Sequence, residues 1–441
     1  MNNFLINKKI NSFNSKIKVD GDKSLSIRWV LLASQAIGVS TAYNLLRSAD
    51  VKAALDSINK LGIKVKLLKN RCEIYGNGIN NFKYKKNLTI DAKNSGTLGR
   101  LILGLLIKSP KKIKLIGDKS LSKRDFSRVT VPLENFGAKF YYKIKNRLPL
   151  SIIGSKSVKG ISYFESRGSA QCKSSIMLAA LNASGTTFIK AKKSRDHSEL
   201  LFKYLKIPIK IKKLKKYDLI EIKKPKKIKA FNYNIPGDIS SSAFFMVLTT
   251  LTDNSKLTIK NVNINPSRIG VIKILKKMGA KISLKNQKNY RGEKISDILI
   301  KSAKNLKAIN CPSELNSSAI DEFSIIFLVA AKAKGISYFK NISELNQKES
   351  PRLIWGSKIL NMMGIKTELT KDSIKIYGQP NLEIKKLITI KNYLKDHRVF
   401  MMSTIAALTC GGIWKIHDQD SINTSFPSFL KIIDKLNKKS L

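Results

Sequence analysis

The chain repeats one two-helix unit along its whole length, and this repeat limits the possible folds more than any other feature. Each copy has an apolar helical segment, a short β-rich piece and an amphipathic helical segment followed by a strand, and copies recur about every 70 to 85 residues. The last, shortened copy closes at residues 435–437. In the other five, the second helix is predicted to end near a glycine or its substitute: Gly62, Gly137, Lys206, Gly279 and Gly364.

Each copy is therefore predicted to form a βαβαββ unit. The nearly all-apolar helix is expected to be buried, with the amphipathic helix lying over it. Because six buried helices cannot share one small core, we predict two domains of three units, with the break near residues 235–238. A single doubly wound α/β sheet is the alternative.

The apolar helices are each predicted to begin at a residue that can cap a helix N-terminus. Helix N-termini attract anions through their free N–H groups and the positive end of the helix dipole. At the first helix, Lys23 and Arg28 would add full positive charges to this field. The six predicted caps are Ser24, Asn94, Ser169, Asp238, Asp321 and Asp396.

The net charge of +53 would suit a nucleic-acid-binding protein. However, seventy of the cations are lysines spread over nearly the whole chain, which indicates a general drift in composition toward a solvated lysine surface. The thirteen arginines are more informative, because several lie in short motifs where a guanidinium could grip carboxylate or phosphate. A basic nucleic-acid-binding protein remains a minor alternative.

Four cysteines, at positions 72, 172, 311 and 410, lie far apart and form no Cys-x-x-Cys pair. This spacing predicts reduced thiols and neither a disulfide framework nor a metal site. The first residues lack the features of a signal peptide, and no stretch approaches eighteen uninterrupted apolar residues. We therefore expect a cytoplasmic protein without a membrane span.

Ten short motifs follow one another along the chain. They are Gly-Asp-Lys-Ser at 21–24 with Arg28, Leu-Leu-Arg-Ser-Ala-Asp-Val at 45–51, Asn-Ser-Gly-Thr at 94–97 with Arg100, Gly-Asp-Lys-Ser-Leu-Ser-Lys-Arg at 117–124, Ser-Ala-Gln at 169–171 with Lys173, Arg-Asp-His at 195–197, Pro-Gly-Asp-Ile-Ser-Ser-Ser-Ala-Phe at 236–244, Asp-Glu at 321–322, Lys-Glu-Ser-Pro-Arg-Leu at 348–353 and Asp-His-Arg at 396–398. In this order they resemble the EPSP synthase (3-phosphoshikimate 1-carboxyvinyltransferase) family from about residue 15 to residue 430. The Ser-Ala-Gln and Arg-Asp-His forms resemble one branch of it.

The resemblance implies a two-domain inside-out α/β barrel with three βαβαββ units in each domain. Residues 22–236 would form the N-terminal domain, and residues 1–21 with 237–441 the C-terminal domain, with the active site in the interdomain cleft. The implied reaction transfers the enolpyruvyl group of phosphoenolpyruvate to the 5-hydroxyl of shikimate 3-phosphate in the shikimate pathway to chorismate. The resemblance implies no cofactor or metal, and we expect a monomer that binds neither nucleic acid nor membrane.

The resemblance also implies binding residues for both substrates. For phosphoenolpyruvate they are Lys23, Gly96, Arg124, Gln171, Arg352 and Arg398. For shikimate 3-phosphate they are Lys23, Ser24, Arg28, Ser169, Ala170, Gln171, Arg195, Asp321 and Lys348.

The reaction needs a base for the hydroxyl proton and an acid for the methylene carbon. By resemblance, Asp321 is the expected base, Glu349 the expected acid, and Lys23 would support phosphate departure. The cations beside Glu349 should favour its ionised form, so burial or a proton acquired with the substrate would have to oppose them.

Four departures from the family pattern stand out. Lys93 replaces a glycine, residues 346–347 replace Arg-Val, and Pro351 replaces an aspartate that could pair with a nearby cation. Residues 424–425 are Thr-Ser where many members have a nearby lysine. The geometry around Arg352 is the part of the site that these changes affect most.

The other enolpyruvyl transferase, which acts on a UDP-N-acetylglucosamine substrate, is the alternative enzyme. That class carries a reactive cysteine in a loop near the second unit. Residues 108–124 contain no cysteine, and Arg195 and Lys348 suit a phosphorylated shikimate better.

Overall fold

Six small β-sheets, three in each of two units, form the framework of residues 3–438, the part of the chain that the computed structural model describes. The N-terminal unit comprises Gly21–Ile235 with Arg291–Glu293. The C-terminal unit comprises the chain up to Asp20, Pro236–Tyr290 and the chain from Lys294 onward. The predicted α/β architecture of repeated βα units is confirmed.

The strands of the described residues are short, at three to ten residues each. They are β1 (Phe4–Ile6), β2 (Asn14–Ile17), β3 (Ile37–Tyr43), β4 (Lys64–Leu67), β5 (Arg71–Asn77), β6 (Leu88–Asp91), β7 (Ile113–Ile116), β8 (Lys139–Tyr142), β9 (Leu150–Ile153), β10 (Ser162–Glu165), β11 (Thr186–Lys192), β12 (Ile209–Lys213), β13 (Tyr217–Lys223), β14 (Asn232–Asn234), β15 (Lys256–Asn263), β16 (Lys281–Tyr290), β17 (Glu293–Lys301), β18 (Gly335–Phe339), β19 (Thr367–Leu369), β20 (Ile374–Gly378), β21 (Ile384–Ile390) and β22 (Gly411–Ile416).

The three sheets of the N-terminal unit share one design. Their strand orders are β14-β3-β5-β4, β6-β7-β9-β8 and β10-β11-β13-β12. In each, the first pair is parallel and the next two pairs are antiparallel. A parallel pair needs a crossover connection, and in the second and third sheets an apolar helix supplies it.

The sheets of the C-terminal unit have the orders β16-β17-β15-β2, β18-β20-β19 and β1-β22-β21. The start of the chain completes two of them, since β2 pairs with β15 in parallel and β1 pairs with β22 antiparallel. Two of these sheets have three strands, and beside β18 isolated parallel bridges at Lys307–Lys334 and Asn310–Tyr338 stand where the four-stranded sheets have their fourth strand.

The helices alternate with these strands along the chain. They are α1 (Lys23–Ala33), α2 (Ala49–Lys60), α3 (Gly96–Leu105), α4 (Ser127–Glu134), α5 (Ala170–Ala180), α6 (His197–Tyr204), α7 (Ile239–Leu251), α8 (Gly270–Lys277), α9 (Asn316–Ala319), α10 (Phe323–Ala331), α11 (Arg352–Met362), α12 (His397–Cys410) and α13 (Phe429–Asn437), with 3-10 helices at Leu121–Lys123, Ser313–Leu315, Ser343–Gln347 and Gln419–Thr424.

Three apolar helices form the centre of each unit. In the N-terminal unit α3 contacts both α1 and α5, and in the C-terminal unit α7, α10 and α12 contact one another. Every residue of α10 and α12 is buried. Helices so apolar on all sides are stable only inside a core, so each unit has its helices at the centre and its sheets outside them.

Three of the six predicted helix caps are confirmed, at Ser169, Asp238 and Asp396. The other three are wrong by one or two residues. The caps there are Asp22, Ser95 and Glu322, and the Asp22 and Ser95 side chains accept from Leu25 N–H and Leu98 N–H.

The displaced candidates have other partners. Ser24 lies within α1, where its carbonyl accepts from Arg28. Asn94 donates its side-chain amide to Asp118. Asp321 pairs with cations of its own unit. Aspartate, asparagine and serine cap equally well, so the choice among neighbours depends on tertiary contacts.

The second helix of five units ends at a residue with positive φ, as the repeat predicts. The values are 85° at Gly62, 94° at Gly137, 55° at Lys206, 94° at Gly279 and 91° at Gly364. After each of them, the next N–H donates to a carbonyl five residues back, which closes the helix end. Glycine adopts this backbone without strain, whereas Lys206 does so with a Cβ.

No helix among residues 3–438 has the length and apolar character that crossing a membrane requires. The four cysteines are free and buried. Within the same described residues, no group of three or more histidine, cysteine, aspartate or glutamate side chains is arranged to hold a metal ion.

Candidate active site

Lys23 and Ser24 open α1 in the N-terminal unit. The side chain of Asp22 caps the helix, and the Lys23 ammonium lies 3.1 Å from Oδ2 of Asp50 at the start of α2. Lys23 stays about one-fifth exposed while Asp50 is nearly buried. The first turn therefore presents a cation at the positive end of a helix dipole, which is a setting suited to an anion.

Arg28 lies one turn further along α1 and is buried. Its Nη1 donates to the carbonyl of Ser24 at 3.1 Å. Its Nε donates to Oγ of Ser198 at 2.9 Å, and its Nη2 to Oγ of Ser174 at 3.0 Å. Three neutral oxygens from α1, α6 and α5 thus fix the guanidinium plane.

Gly96 is the first residue of α3, directly after the cap Ser95. A Cβ at this position would lie 3.0 Å from Nη1 of Arg124 and 3.3 Å from Nη1 of Arg100. Glycine therefore lets two guanidinium groups come close to a helix N-terminus. Arg124 follows the 3-10 helix Leu121–Lys123 and is half-buried.

The N-terminus of α5 meets this arginine pair through Gln171. Ser169 caps α5 by accepting from Cys172 N–H, and Ala170 is its first residue. The side-chain carbonyl of Gln171 accepts from Nη1 of Arg100 at 2.5 Å, and its amide donates to Oγ1 of Thr97 at 3.1 Å. Gln171 therefore joins α5 to the first turn of α3.

The loop before α5 is folded around a carboxylate that the sequence analysis did not single out. Glu165 is buried at the end of β10 and accepts from the N–H groups of Arg167 and Ser169 at 3.2 and 3.0 Å. Burial raises the pKa of this carboxyl above its ordinary value, and the backbone hydrogen bonds oppose that rise. Its hydrogen bonds therefore fix the backbone of the loop that leads to Ser169.

Arg195 is half-buried in the loop between β11 and α6, just ahead of the first residue of α6, His197. Nδ1 of buried His197 lies 2.6 Å from Oε1 of Glu293, which is also buried. Lys173, a member of the Ser-Ala-Gln motif, is fully buried and pairs with Glu199 at 2.5 Å. It therefore joins α5 to α6 inside the protein.

The predicted base and acid lie close together in the C-terminal unit. Oδ1 of Asp321 is 3.4 Å from Nζ of Lys348 and 3.5 Å from Nη1 of Arg352. The carboxylate of Glu349 accepts from Nη2 of the same arginine. Nη1 of Arg398 donates to the backbone carbonyl of Asp321 at 2.6 Å. The structure thus brings all five predicted residues of this unit together.

Asp396 is the residue that organises this cluster, and the sequence analysis gave it only a capping role. It is buried and caps α12 by accepting from Arg398 N–H at 2.9 Å. It also accepts from Nε of Arg352 at 2.8 Å and from the backbone and hydroxyl of Ser350. The sequence signal available for this role was that the predicted cap is also the first residue of the Asp-His-Arg motif.

The charges of Arg352 and Asp396 stabilise each other. Burial opposes the charge of Arg352, but the carboxylates of Asp396, Glu349 and Asp321 outweigh it, so the pKa of Arg352 is raised. Burial likewise opposes ionisation of Asp396, but the positive charge of Arg352 outweighs it, and the pKa of Asp396 is lowered. Both groups are therefore charged at neutral pH.

The structure also shows the surroundings of the residues that depart from the family pattern. Pro351 occupies the cap position before α11, and Arg352 keeps three carboxylates without an aspartate there. The side chain of Asn346 accepts from Leu353 N–H at 3.2 Å, in the first turn of α11. Lys93 has φ of 50°, a region that favours the glycine it replaces. Oγ1 of Thr424 lies 3.3 Å from Nδ1 of His397.

Comparisons with known proteins agree on one family. The sequence profile of EPSP synthase (3-phosphoshikimate 1-carboxyvinyltransferase) matches residues 7–433. A protein of Ruthia magnifica subsp. Calyptogena magnifica, named 3-phosphoshikimate 1-carboxyvinyltransferase, is 40% identical over 99% of this chain and 98% of its own. The protein of the same name from Bacillus subtilis is 35% identical over 98% and 99%.

Solved structures give the same result. An EPSP synthase from Acinetobacter baumannii matches with a TM-score of 0.87 at 33% identity, covering 99% of this chain and 98% of that one. The enolpyruvyl transferase NikO from Streptomyces tendae matches with a TM-score of 0.77 over 98% and 97%, and at 12% identity it shows the fold alone. The chain therefore belongs to the EPSP synthase (3-phosphoshikimate 1-carboxyvinyltransferase) family.

Proposed function

We propose that the chain transfers the enolpyruvyl group of phosphoenolpyruvate to the 5-hydroxyl of shikimate 3-phosphate, which releases inorganic phosphate. The observation that carries this proposal beyond family membership is the cluster around Asp321. One carboxylate there lies within ion-pair distance of Lys348 and Arg352, and a second carboxylate, Glu349, is bound to the same arginine. Two carboxylates held beside fixed cations suit proton transfer between anionic substrates.

Asp321 is proposed as the base. Its two cationic neighbours favour the ionised carboxylate, which can accept the proton of the 5-hydroxyl as that oxygen attacks C2 of phosphoenolpyruvate. Nζ of Lys348 lies 3.4 Å from Oδ1 of Asp321, which supports the proposal that both side chains contact the same hydroxyl group of shikimate 3-phosphate. Removal of that proton makes the oxygen nucleophilic while the carbon–oxygen bond forms.

Glu349 is proposed as the acid that protonates the methylene carbon in the addition step. Its contact with Arg352 favours the carboxylate, so it must gain a proton before it can donate one. A phosphate or carboxylate of the substrate that binds Arg352 would compete with Glu349 for the guanidinium. Elimination then returns a proton from the new methyl group to Glu349, re-forms the carbon–carbon double bond and breaks the bond from C2 to the phosphate oxygen. The phosphate leaves with the proton that Asp321 had accepted, while the Lys23 ammonium stabilises the departing charge.

The remaining assignments concern binding. For phosphoenolpyruvate we propose Arg124, Arg352 and Arg398, since guanidinium groups form paired charge-assisted hydrogen bonds with phosphate and carboxylate. We also propose Lys23, Gly96 and Gln171 as ligands of phosphoenolpyruvate. For shikimate 3-phosphate we propose Lys23, Ser24, Arg28, Ser169, Ala170, Gln171, Arg195, Asp321 and Lys348.

Release of inorganic phosphate tests the reaction, measured with both substrates and with each one omitted. Release that requires both supports the transferase, and release that needs only one contradicts it.

Asp321→Ala and Glu349→Gln should each lower kcat about a hundredfold or more, because each removes a proton-transfer group. Lys375→Ala, at an exposed pair with Glu368, is the control and should keep normal turnover. Near-normal turnover in either site variant would remove that residue's proposed role.

A monomeric state and a cytoplasmic location complete the proposal. Light scattering coupled to gel filtration measures the molar mass directly, for which the chain mass of 49.4 kDa is the expected value. A mass of twice that value would contradict the monomer.

A further inference from the structure

Helices α5 and α6 are joined by two adjacent contacts in the interior of the N-terminal unit. Lys173 of α5 pairs with Glu199 of α6 at 2.5 Å. The adjacent residue on each helix makes the second contact, in which Oγ of Ser174 lies 2.7 Å from Oγ of Ser198. All four side chains are buried. The two helices are therefore held in one fixed register close to their N-termini.

Arg28 of α1 hydrogen-bonds to both serines of the second contact. Its Nε donates to Ser198 and its Nη2 donates to Ser174, while its Nη1 donates to the carbonyl of Ser24 in its own helix. A guanidinium is planar and its N–H directions are fixed, so donors on three different nitrogens determine its orientation as well as its position. Two serine hydroxyls supply two of those three acceptors.

The serines also connect Arg28 to the segments assigned to shikimate 3-phosphate. Ser198 follows Arg195 by three residues, and Ser174 follows Gln171 by three residues, within α5. A shift of either hydroxyl would therefore move Arg28 relative to both segments. Serine oxygens are uncharged, so they orient the guanidinium without adding negative charge that would repel an anionic substrate.

We infer that Ser174 and Ser198 are positioning residues, which hold Arg28 in the orientation in which it binds shikimate 3-phosphate. This inference rests on the proposed function, since it takes Arg28 as a ligand of that substrate. Ser198 acts through Arg28 and needs no contact with the substrate. The Lys173–Glu199 pair keeps α5 and α6 in place around it.

The test is Ser198→Ala, measured by calorimetric titration with shikimate 3-phosphate and by steady-state kinetics. Loss of one hydrogen bond to a charged group should raise the Kd and KM for shikimate 3-phosphate about tenfold. The KM for phosphoenolpyruvate and kcat should stay within about twofold. Ser174→Ala should behave in the same way, because it removes the other hydroxyl of the pair.

A double-mutant cycle separates positioning from general packing. In Arg28→Met, the two serines can still hydrogen-bond to each other. Adding Ser198→Ala to that variant should then change the Kd for shikimate 3-phosphate by less than about twofold. If the tenfold effect persists without Arg28, Ser198 acts by another route and the inference is overturned.

Ser57→Ala is the matched control, because Ser57 is also buried in the N-terminal unit and donates to the carbonyl of Ala53 within α2. It should leave the Kd for shikimate 3-phosphate unchanged. Equal effects of Ser57→Ala and Ser198→Ala would also overturn the inference. A wild-type protein that binds shikimate 3-phosphate, with Ser198→Ala unaffected, refutes the positioning role and leaves the proposed function standing. A wild-type protein that releases no phosphate from the two substrates refutes the proposed function itself.

Discussion

At the scale of single residues, the partners of each arginine indicate what its charge can do. Three neutral oxygens accept from Arg28, whereas Arg352 is surrounded by the carboxylates of Asp396, Glu349 and Asp321. A buried guanidinium needs such acceptors, because leaving it unpaired would cost several kcal/mol. The carboxylates around Arg352 therefore both stabilise it and compete with any anionic substrate.

Asp396→Asn should destabilise the protein in a way that depends on pH. The pKa of Asp396 is lowered in the folded state, so its contribution is complete above the unfolded pKa of about 4 and is lost as pH falls through the folded value. At pH 7 the variant should lose about 3 kcal/mol of the free energy of unfolding. Urea unfolding at pH 7 and at pH 3.5 measures both values.

The difference between wild type and Asp396→Asn should shrink at the lower pH. Asp434→Asn, at an exposed position on α13, is the control and should change little at either pH. A difference of 3 kcal/mol that stays constant between the two pH values would show that the pair with Arg352 does not supply it.

Gly96→Ala should affect phosphoenolpyruvate more than the fold. The new methyl would lie 3.0 Å from Nη1 of Arg124 and 3.3 Å from Nη1 of Arg100, so the guanidinium groups must move by a few tenths of an ångström. Alanine is the better helix former, which supports the helix itself. We expect the KM for phosphoenolpyruvate to rise severalfold with the melting temperature nearly unchanged.

The family resemblance also implies glyphosate as a competitor for the phosphoenolpyruvate pocket. Since glyphosate is the longer ligand, Gly96→Ala should raise its inhibition constant more than it raises the KM. Equal changes in the two constants, or a large fall in melting temperature, would mean that Gly96 is a packing residue.

At the scale of secondary-structure elements, the sequence predicted the helix ends well because one local signal defines them. A glycine with positive φ closes the second helix in four units, and the spacing of these glycines shows the repeat. The helix starts were predicted less well. Asp22 and Ser95 were missed as caps because a neighbouring Ser or Asn was equally suitable, and only side-chain contacts decide between them.

Lys206→Gly should stabilise the protein, because Lys206 has φ of 55° at the end of α6, where four other units have glycine. An L residue in this region is strained by about 1 to 2 kcal/mol, and part of the gain is lost to the greater freedom of glycine in the unfolded chain. We expect the free energy of unfolding to rise by about 0.5–1 kcal/mol, measured as a shift of the urea midpoint.

Lys206→Ala is the matched control, since it removes the exposed lysine but keeps the Cβ. It should give no such gain. An equal rise in both variants would trace the effect to the lysine charge and away from the backbone.

At the scale of the whole molecule, the repeat and the motif order predicted the architecture, and the motifs supplied most of the residues that are proposed for the site. Contacts between distant parts of the chain could not be predicted. The bond from Arg352 to Asp396 spans 44 residues, and that from Arg28 to Ser198 spans 170. Local patterns carry no information about such pairs, because packing of separate helices creates them. The site residues that were missed, Asp396, Ser198 and Glu165, all act through such contacts or through the backbone.

The net charge of +53 leads to a prediction for the molecule as a whole. Like charges spread over the surface repel one another and destabilise the folded state, and salt screens this repulsion. The Debye length falls from about 30 Å at 0.01 M to about 8 Å at 0.15 M, whereas buried pairs such as Lys173–Glu199 are screened much less. Raising sodium chloride over this range should therefore increase the free energy of unfolding, by on the order of 1 kcal/mol. Thermal unfolding in the two buffers measures the change, and glycerol at the same concentrations, which screens no charge, should leave stability nearly unchanged. A fall in stability with salt would mean that attractive surface pairs outweigh the repulsion, and that the lysines are arranged around acidic partners more closely than their distribution along the chain indicates.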